Sequence, residues 1–208
     1  MISGRDRHSI FILHQLDKFR DYAKYIESSF KRELEFYEKG AKGLQPDEDD
    51  EYWDCYIDEA SQYSQDFPRI MRNSLFVSIY TFLEDKIVEQ CVSNADTLLE
   101  LSDINGKGIQ QASIYLKKVL RVNFPNNSKE WKYIKNANLI RNCIVHNNGD
   151  ISKSRNEKKI RNIVDDMSSI NINEIDHIHL ESKFCLEFID NVDEFLRQLY
   201  NAIYTLKV

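Results

Sequence analysis

Helix breakers are scarce in this sequence. Its 208 residues hold 6 glycines and 3 prolines, so little interrupts a helix once it has begun. Cysteine is scarce as well: Cys55, Cys91, Cys143 and Cys185 stand singly, with no Cys-x-x-Cys pair. That spacing gives neither a zinc site nor a disulfide framework, and reduced thiols in a cytoplasmic protein are the expectation. No apolar run approaches the roughly 20 residues that a membrane helix needs. The segment from Met1 to Arg7 does not read as a signal peptide. Positive charge is in the minority, with a formal net charge of −6. Bulk charge therefore does not make this a general polyanion binder; any nucleic acid must be held by a local basic patch.

What is present is a globular composition, 42% hydrophobic and 30% charged. The length suits one domain, or one domain with an appendage, and is enough to bury a core. Apolar residues recur at helical spacing from Ile10 to Tyr37 through Leu13, Phe19, Ile26, Phe30 and Leu34, which predicts one long amphipathic helix. Gly40 and Gly43 end it. The acidic run Asp47–Glu51 reads as a solvated loop or a helix start. A second helical piece covers 51–62. Pro68 opens a helix to about Ser93, with Leu75, Ile79, Phe82, Leu83, Ile87 and Cys91 on its core face. A connection spans 94–108.

Further helices are predicted over 109–122 and 129–146. Ser128 is placed to cap the second, and Asn147-Asn148-Gly149 to stop it. A basic stretch follows: Lys153, Arg155, Lys158, Lys159 and Arg161, on a helix to about Met167. Residues 171–180 alternate apolar and polar and read as one short extended segment. His177 and His179 share a face there, without a metal-ligating neighbour. The last helix, 181–206, is amphipathic through Phe184, Phe188, Val192, Phe195, Leu199 and Ile203. The fold class is all-α, a helical bundle. Residues 1–65 are expected to form a helical extension and 66–208 the main helical domain, packed as one unit.

The chemistry-bearing segment is Asn138-Leu139-Ile140-Arg141-Asn142-Cys143-Ile144-Val145-His146. It puts an arginine and a histidine near the end of one helix. Cleaving RNA without a metal needs a group that moves the 2′-hydroxyl proton, and imidazole ionises in the right range. It also needs a fixed cation for charge growing on the phosphoryl oxygens, which guanidinium supplies through forked donors. Five positions apart on an ideal helix is about 140°. Either the last turn distorts or the long arginine side chain reaches round. The spacing by itself is common: about 0.8 matches are expected by chance in a chain of this composition. Arg7 and His14 make a second match, which reads as chance.

The segment resembles the Arg-x4–6-His signature of the HEPN superfamily. The resemblance extends to the polar residue after the arginine (Asn142), the apolar filler Ile144 and Val145, and the Asn-Asn-Gly stop. The stretch Tyr80 to Glu84 is similar to one on the helix that packs beside the motif helix in that family. The likeness covers roughly 68–206. It implies a HEPN-like bundle and a metal-independent endoribonuclease, with Arg141 and His146 catalytic and no cofactor. It also implies products ending in a 2′,3′-cyclic phosphate, and a homodimer that completes a composite site. A toxin or anti-phage role is implied too, with an antitoxin or other regulatory protein as partner. Some toxin members carry a tyrosine two residues after the histidine; Asn148 stands there in this chain.

Other roles stay open. Asn142 contacts substrate or supports Arg141, or is an exposed helix residue. Glu84 orients Arg141, or is a core-edge carboxylate. Asn147 is a cap or an RNA contact. The basic stretch holds RNA phosphates or is a solvated face. Trp131 and Tyr133 stack on bases or pack in the core. The alternative function is a non-catalytic HEPN module that binds nucleotide or RNA, or a helical interaction module.

Overall fold

A computed structural model describes residues 4–93 and 97–205, with side chains from His14 onward. The side chains of Arg7, Ile10 and Leu13 therefore lie outside what is described, as do the start of the 94–108 connection and Leu206.

The chain is overwhelmingly helical. Helix α1 (Gly4–Ala41) is followed by α2 (Pro46–Ser61), which passes through a π-helical turn (Gln62–Asp66) into α3 (Phe67–Ser93). The acidic run is thus the first turn of α2, not a loop. Pro46 suits a first turn, and Glu48 accepts the backbone N–H of Gln45 at 3.1 Å in a capping box. Its acids lie at the helix's positive end. Pro68 lies just past the π-helical turn, which carries the helix past a residue that has no N–H to donate.

Helices α4 (Gly108–Lys118), α5 (Lys129–Asn147), α6 (Glu157–Asp165) and α7 (Phe184–Thr205) complete the bundle. The extended segment is a two-stranded hairpin, β1 (Ile170–Ile172) and β2 (Ile178–Leu180), antiparallel with Asn171 opposite His179. Ile178 and Leu180 point inward and His179 outward, the period-2 alternation of a strand with one buried face.

The core lies where α3, α5 and α7 meet. Phe76 of α3 sits edge-on to Phe184 and Phe188 of α7, each at 4.9 Å between ring centres. Trp131 of α5 is buried between Phe124 and Phe195, at 4.9 and 5.1 Å. Trp131 is therefore core, and Tyr133 packs toward Phe188; neither is a base-stacking platform. Helix α1 lies against α3 and α7. Its large stripe residues Phe19, Ile26 and Phe30 are only partly buried, whereas Leu16 and Ala23 are fully so. The small Ala23 side chain lets the helix approach its neighbours closely at that point.

Two ties fix α1 to the body. Arg72 grips Glu27 of α1 with two bonds of 2.6 and 2.8 Å and donates a third, at 3.0 Å, to the carbonyl of Leu180 in β2. Arg20 reaches Asp190 of α7 at 2.8 Å. Among the described residues no helix is long and apolar enough to cross a membrane.

Candidate functional site

Helix α5 sets the geometry. Ser128 caps its start, its hydroxyl accepting the Trp131 N–H at 3.1 Å. Ile134, Ala137, Ile140 and Cys143 bury one stripe. The opposite shoulder carries Asn138, Asn142 and His146, each four residues from the next and so about 40° apart around the axis. The helix stays regular through Asn147 and ends with Asn148 in the left-handed conformation (φ 53°) and Gly149 (φ 81°). Asparagine tolerates that conformation and glycine adopts it freely. The N–H groups of Asn148 and Gly149 both reach the Cys143 carbonyl.

No distortion of the last turn brings Arg141 toward the His146 row; its side chain reaches round. Arg141 Nη1 donates to Asn142 Oδ1 at 2.9 Å. Asn142 Nδ2 donates to Asn138 Oδ1 at 3.1 Å, and the Asn138 amide donates to the hydroxyl of Tyr80 on α3. The Tyr80 ring lies under the guanidinium, 5.0 Å from Cζ to its centre. Four side chains thus close a loop: Arg141, Asn142, Asn138, Tyr80 and back to Arg141. Burial pushes the Tyr80 hydroxyl up to about 12, against the opposing pull of the Asn138 bond and the Arg141 charge. It stays protonated at neutral pH and serves as a fixed neutral partner.

Among the described residues no hydrogen bond closes the rest of the guanidinium. Glu84 Oε2 lies 3.9 Å from Arg141 Nη2, an ion pair by charge but too long for a hydrogen bond. Arg141 Nε is buried with no partner among the described residues. The other carboxylate oxygen of Glu84 rests against Gly108, the first residue of α4, where a Cβ would collide with it.

His146 is exposed one turn beyond Asn142, and among the described residues its imidazole makes no hydrogen bond or ion pair. The α5 dipole favours cationic groups at this end. Asn147 belongs to the turn, its carbonyl accepting the Asp150 N–H at 3.1 Å. The hairpin braces that turn: Ile178 N–H bonds the Gly149 carbonyl at 2.9 Å, and Ile151 N–H bonds that of Asp176 at 2.9 Å.

The five basic residues after the motif divide into two groups. Lys153 is held by Asp150 at 2.7 Å. Arg161 is held by Glu157 at 2.8 Å and by Asp176 at 2.7 Å. These two hold the turn and the hairpin in place. Arg155, Lys158 and Lys159 are exposed and have no ion pair among the described residues. His177 Nδ1 sits 2.8 Å from the Ile175 carbonyl. Among the described residues no group of three or more His, Cys, Asp or Glu side chains is placed to hold a metal ion.

Sequence reasoning missed Tyr80, Asn138 and Gly108 as parts of this site. The i, i+4, i+8 spacing of Asn138, Asn142 and His146 was a usable signal for Asn138. The likeness of the stretch Tyr80 to Glu84 placed Tyr80 on a neighbouring helix without giving it a role, and nothing local marked Gly108, which reaches the site from α4. No protein-family model, no curated protein and no solved structure matches the chain. The residues and their geometry are what a functional reading has to stand on.

Proposed function

We propose that this chain is a metal-independent endoribonuclease of the HEPN type, acting as a homodimer. The observation that carries the reading is that no carboxylate closes on the partly exposed Arg141 guanidinium among the described residues. Its guanidinium is oriented by a ring and one hydrogen bond, while Nε and Nη2 have no hydrogen-bond partner among the described residues. A forked cation held in place but not consumed by a carboxylate is a receptor for a phosphoryl group.

In the proposed reaction the His146 imidazole takes the proton of a ribose 2′-hydroxyl. The freed oxygen attacks the adjacent phosphorus, the bond to the 5′ oxygen breaks, and that oxygen leaves with a proton. The products are a 2′,3′-cyclic phosphate and a 5′-hydroxyl end. Arg141 offsets the charge that grows on the non-bridging oxygens. One chain offers one such imidazole. In a dimer a second subunit brings another, so that one takes a proton and the other returns one. Arg155, Lys158 and Lys159 follow the motif as free cations for neighbouring phosphates. A growth-arresting toxin or anti-phage effector is the biological role that suits such an activity, with RNA as substrate and a neutralising protein as partner.

A second reading is a non-catalytic module that binds RNA or nucleotide. It is favoured by one observation: Arg141 and Asn142 are tied into a network while the exposed His146 makes no hydrogen bond or ion pair among the described residues. One experiment decides between them. Purified wild type, Arg141→Ala and His146→Ala are incubated with RNA in EDTA and the ends are analysed. The catalytic reading expects cyclic-phosphate ends from wild type, and rates lower by about 10³-fold for each variant. Equal cleavage by all three sinks it. RNA binding without cleavage establishes the second reading. Sedimentation at micromolar concentration tests the dimer, and a monomer that cleaves RNA rules out the composite site.

A further inference from the structure

We infer that Glu84 is a built-in counter-anion of Arg141, and that Gly108 is the residue that keeps it at a distance. The inference rests on the reading of Arg141 as a phosphate receptor. The carboxylate stands between the Arg141 guanidinium and the first residue of α4. One oxygen stands 3.9 Å from Arg141 Nη2. The other lies against the Cα of Gly108, in the space a side chain would fill. Gly108 opens α4, whose first-turn amides present the positive end of an 11-residue helix. Its φ of +58° is one that residues with a Cβ rarely adopt. Glycine here therefore serves two ends: the turn into α4, and a seat for the Glu84 carboxylate.

The consequence is a balance. Seated at Gly108, Glu84 compensates part of the Arg141 charge without capturing its fork. Moved about 1 Å closer, it would form the charge-assisted bonds that close such a fork. A nucleic-acid phosphate approaching Arg141 meets the same carboxylate and is repelled by it at short range. Glu84 and Gly108 are thus positioning residues that set how tightly Arg141 holds an anion. Glu84 has no step in the chemistry.

The test measures binding without cleavage. A fluorescein-labelled single-stranded oligodeoxynucleotide lacks the 2′-hydroxyl and cannot be cut by the proposed route. Its affinity is measured by anisotropy at low and moderate salt. Glu84→Gln is expected to bind about tenfold tighter than wild type, with the gain shrinking as salt rises. Gly108→Ala is expected to bind about tenfold more weakly. The double variant is expected to recover to within about threefold of Glu84→Gln, because the neutral amide cannot quench Arg141 even when displaced. Gly108→Ala also strains the backbone, so its melting temperature falls, and Glu84→Gln is not expected to restore it. Recovery of binding without recovery of stability separates the site from the fold. In an Arg141→Ala background, Glu84→Gln is expected to bring no gain.

Equal affinities across the series, or weaker binding by Glu84→Gln, overturn the inference, as does a wild type that does not bind the probe. RNA cleavage is assayed on the same preparations. Its absence in wild type removes the ribonuclease reading and leaves the binding series interpretable.

Discussion

Arg72 and Arg141 are both partly buried arginines that cross from one element to another, and they end in opposite states. Arg72 is 11% exposed, Arg141 23%. Arg72 spends its fork on both oxygens of Glu27 and gives a third bond to Leu180. Arg141 has a carboxylate at hand and does not close on it. Its one hydrogen bond goes to a neutral amide and its face rests on a tyrosine. A saturated guanidinium fastens; an oriented but unsaturated one receives. The contrast separates the junction of α1, α3 and β2, which is structural, from the junction of α3, α4 and α5, where the chemistry is proposed.

His146→Ala and Arg141→Ala should each lower RNA cleavage by about 10³-fold, roughly 4 kcal/mol in the barrier. Both should melt closer to wild type than Arg72→Ala does, because Arg141 gives its one hydrogen bond to a neutral amide on its own helix and His146 is exposed. Arg72→Ala should do the reverse. Leaving Glu27 and the Leu180 carbonyl unpaired should cost about 2–3 kcal/mol of stability in urea titrations, or about 5–10 °C in melting temperature. Cleavage measured well below that melting point should be unchanged. If Arg72→Ala abolished cleavage while remaining folded, the two junctions would not be separable.

A smaller effect sharpens the Arg141 side. Tyr80→Phe keeps the ring under the guanidinium and removes the hydroxyl that accepts from Asn138. A loss of about 1 kcal/mol in stability is expected, and a five- to tenfold loss in rate as Asn142 and Arg141 lose their fixed orientation, to be measured by single-turnover cleavage. Because burial raises the Tyr80 hydroxyl to about 12, wild type and Tyr80→Phe should share one pH–rate profile between pH 5 and 9. A limb that disappears with the hydroxyl would make Tyr80 a proton-transfer group instead.

The smallest effect concerns the turn that carries the motif. The Lys153 ammonium, with the Ser152 hydroxyl, holds the Asp150 carboxyl down from 3.8 to about 2. A depressed carboxyl contributes stability above its unfolded value and gives it up as pH falls. Urea midpoints should therefore drop between pH 4 and 2, and Asp150→Asn should flatten that drop. A wild-type curve with no inflection there would mean that the Lys153 contact is solvated away.

Much of the helical layout was legible. Ser128 is an N-cap by type and by geometry, and Asn148-Gly149 is a helix stop by both. The α7 stripe from Phe184 to Ile203 is buried as its spacing requires. The alternation at 171–180 is a hairpin. Less legible was the acidic run, whose composition suits either a loop or a helix start; the Gln45–Glu48 capping box made it a helix. The boundary near Pro68 was blurred for a related reason. A π-helical turn lets α2 run into α3 without the break that proline usually signals.

The candidate site divides along the same line. Sequence alone determined that Arg141, Asn142 and His146 share the last turns of one helix, because caps and 3.6-residue periodicity act over a few positions. Only the tertiary structure decided which charges are consumed and which stay free. Glu27 meets Arg72 across 45 positions, Asn138 meets Tyr80 across 58, and Leu180 meets Arg72 across 108. Such pairings depend on how apolar faces pack, and no local pattern encodes them. Arg141 was visible as a candidate from the start, with Asn142 and Glu84 as possible supports; that packing lays the Tyr80 ring under its guanidinium and leaves Glu84 3.9 Å away, its other oxygen beside Gly108, was not.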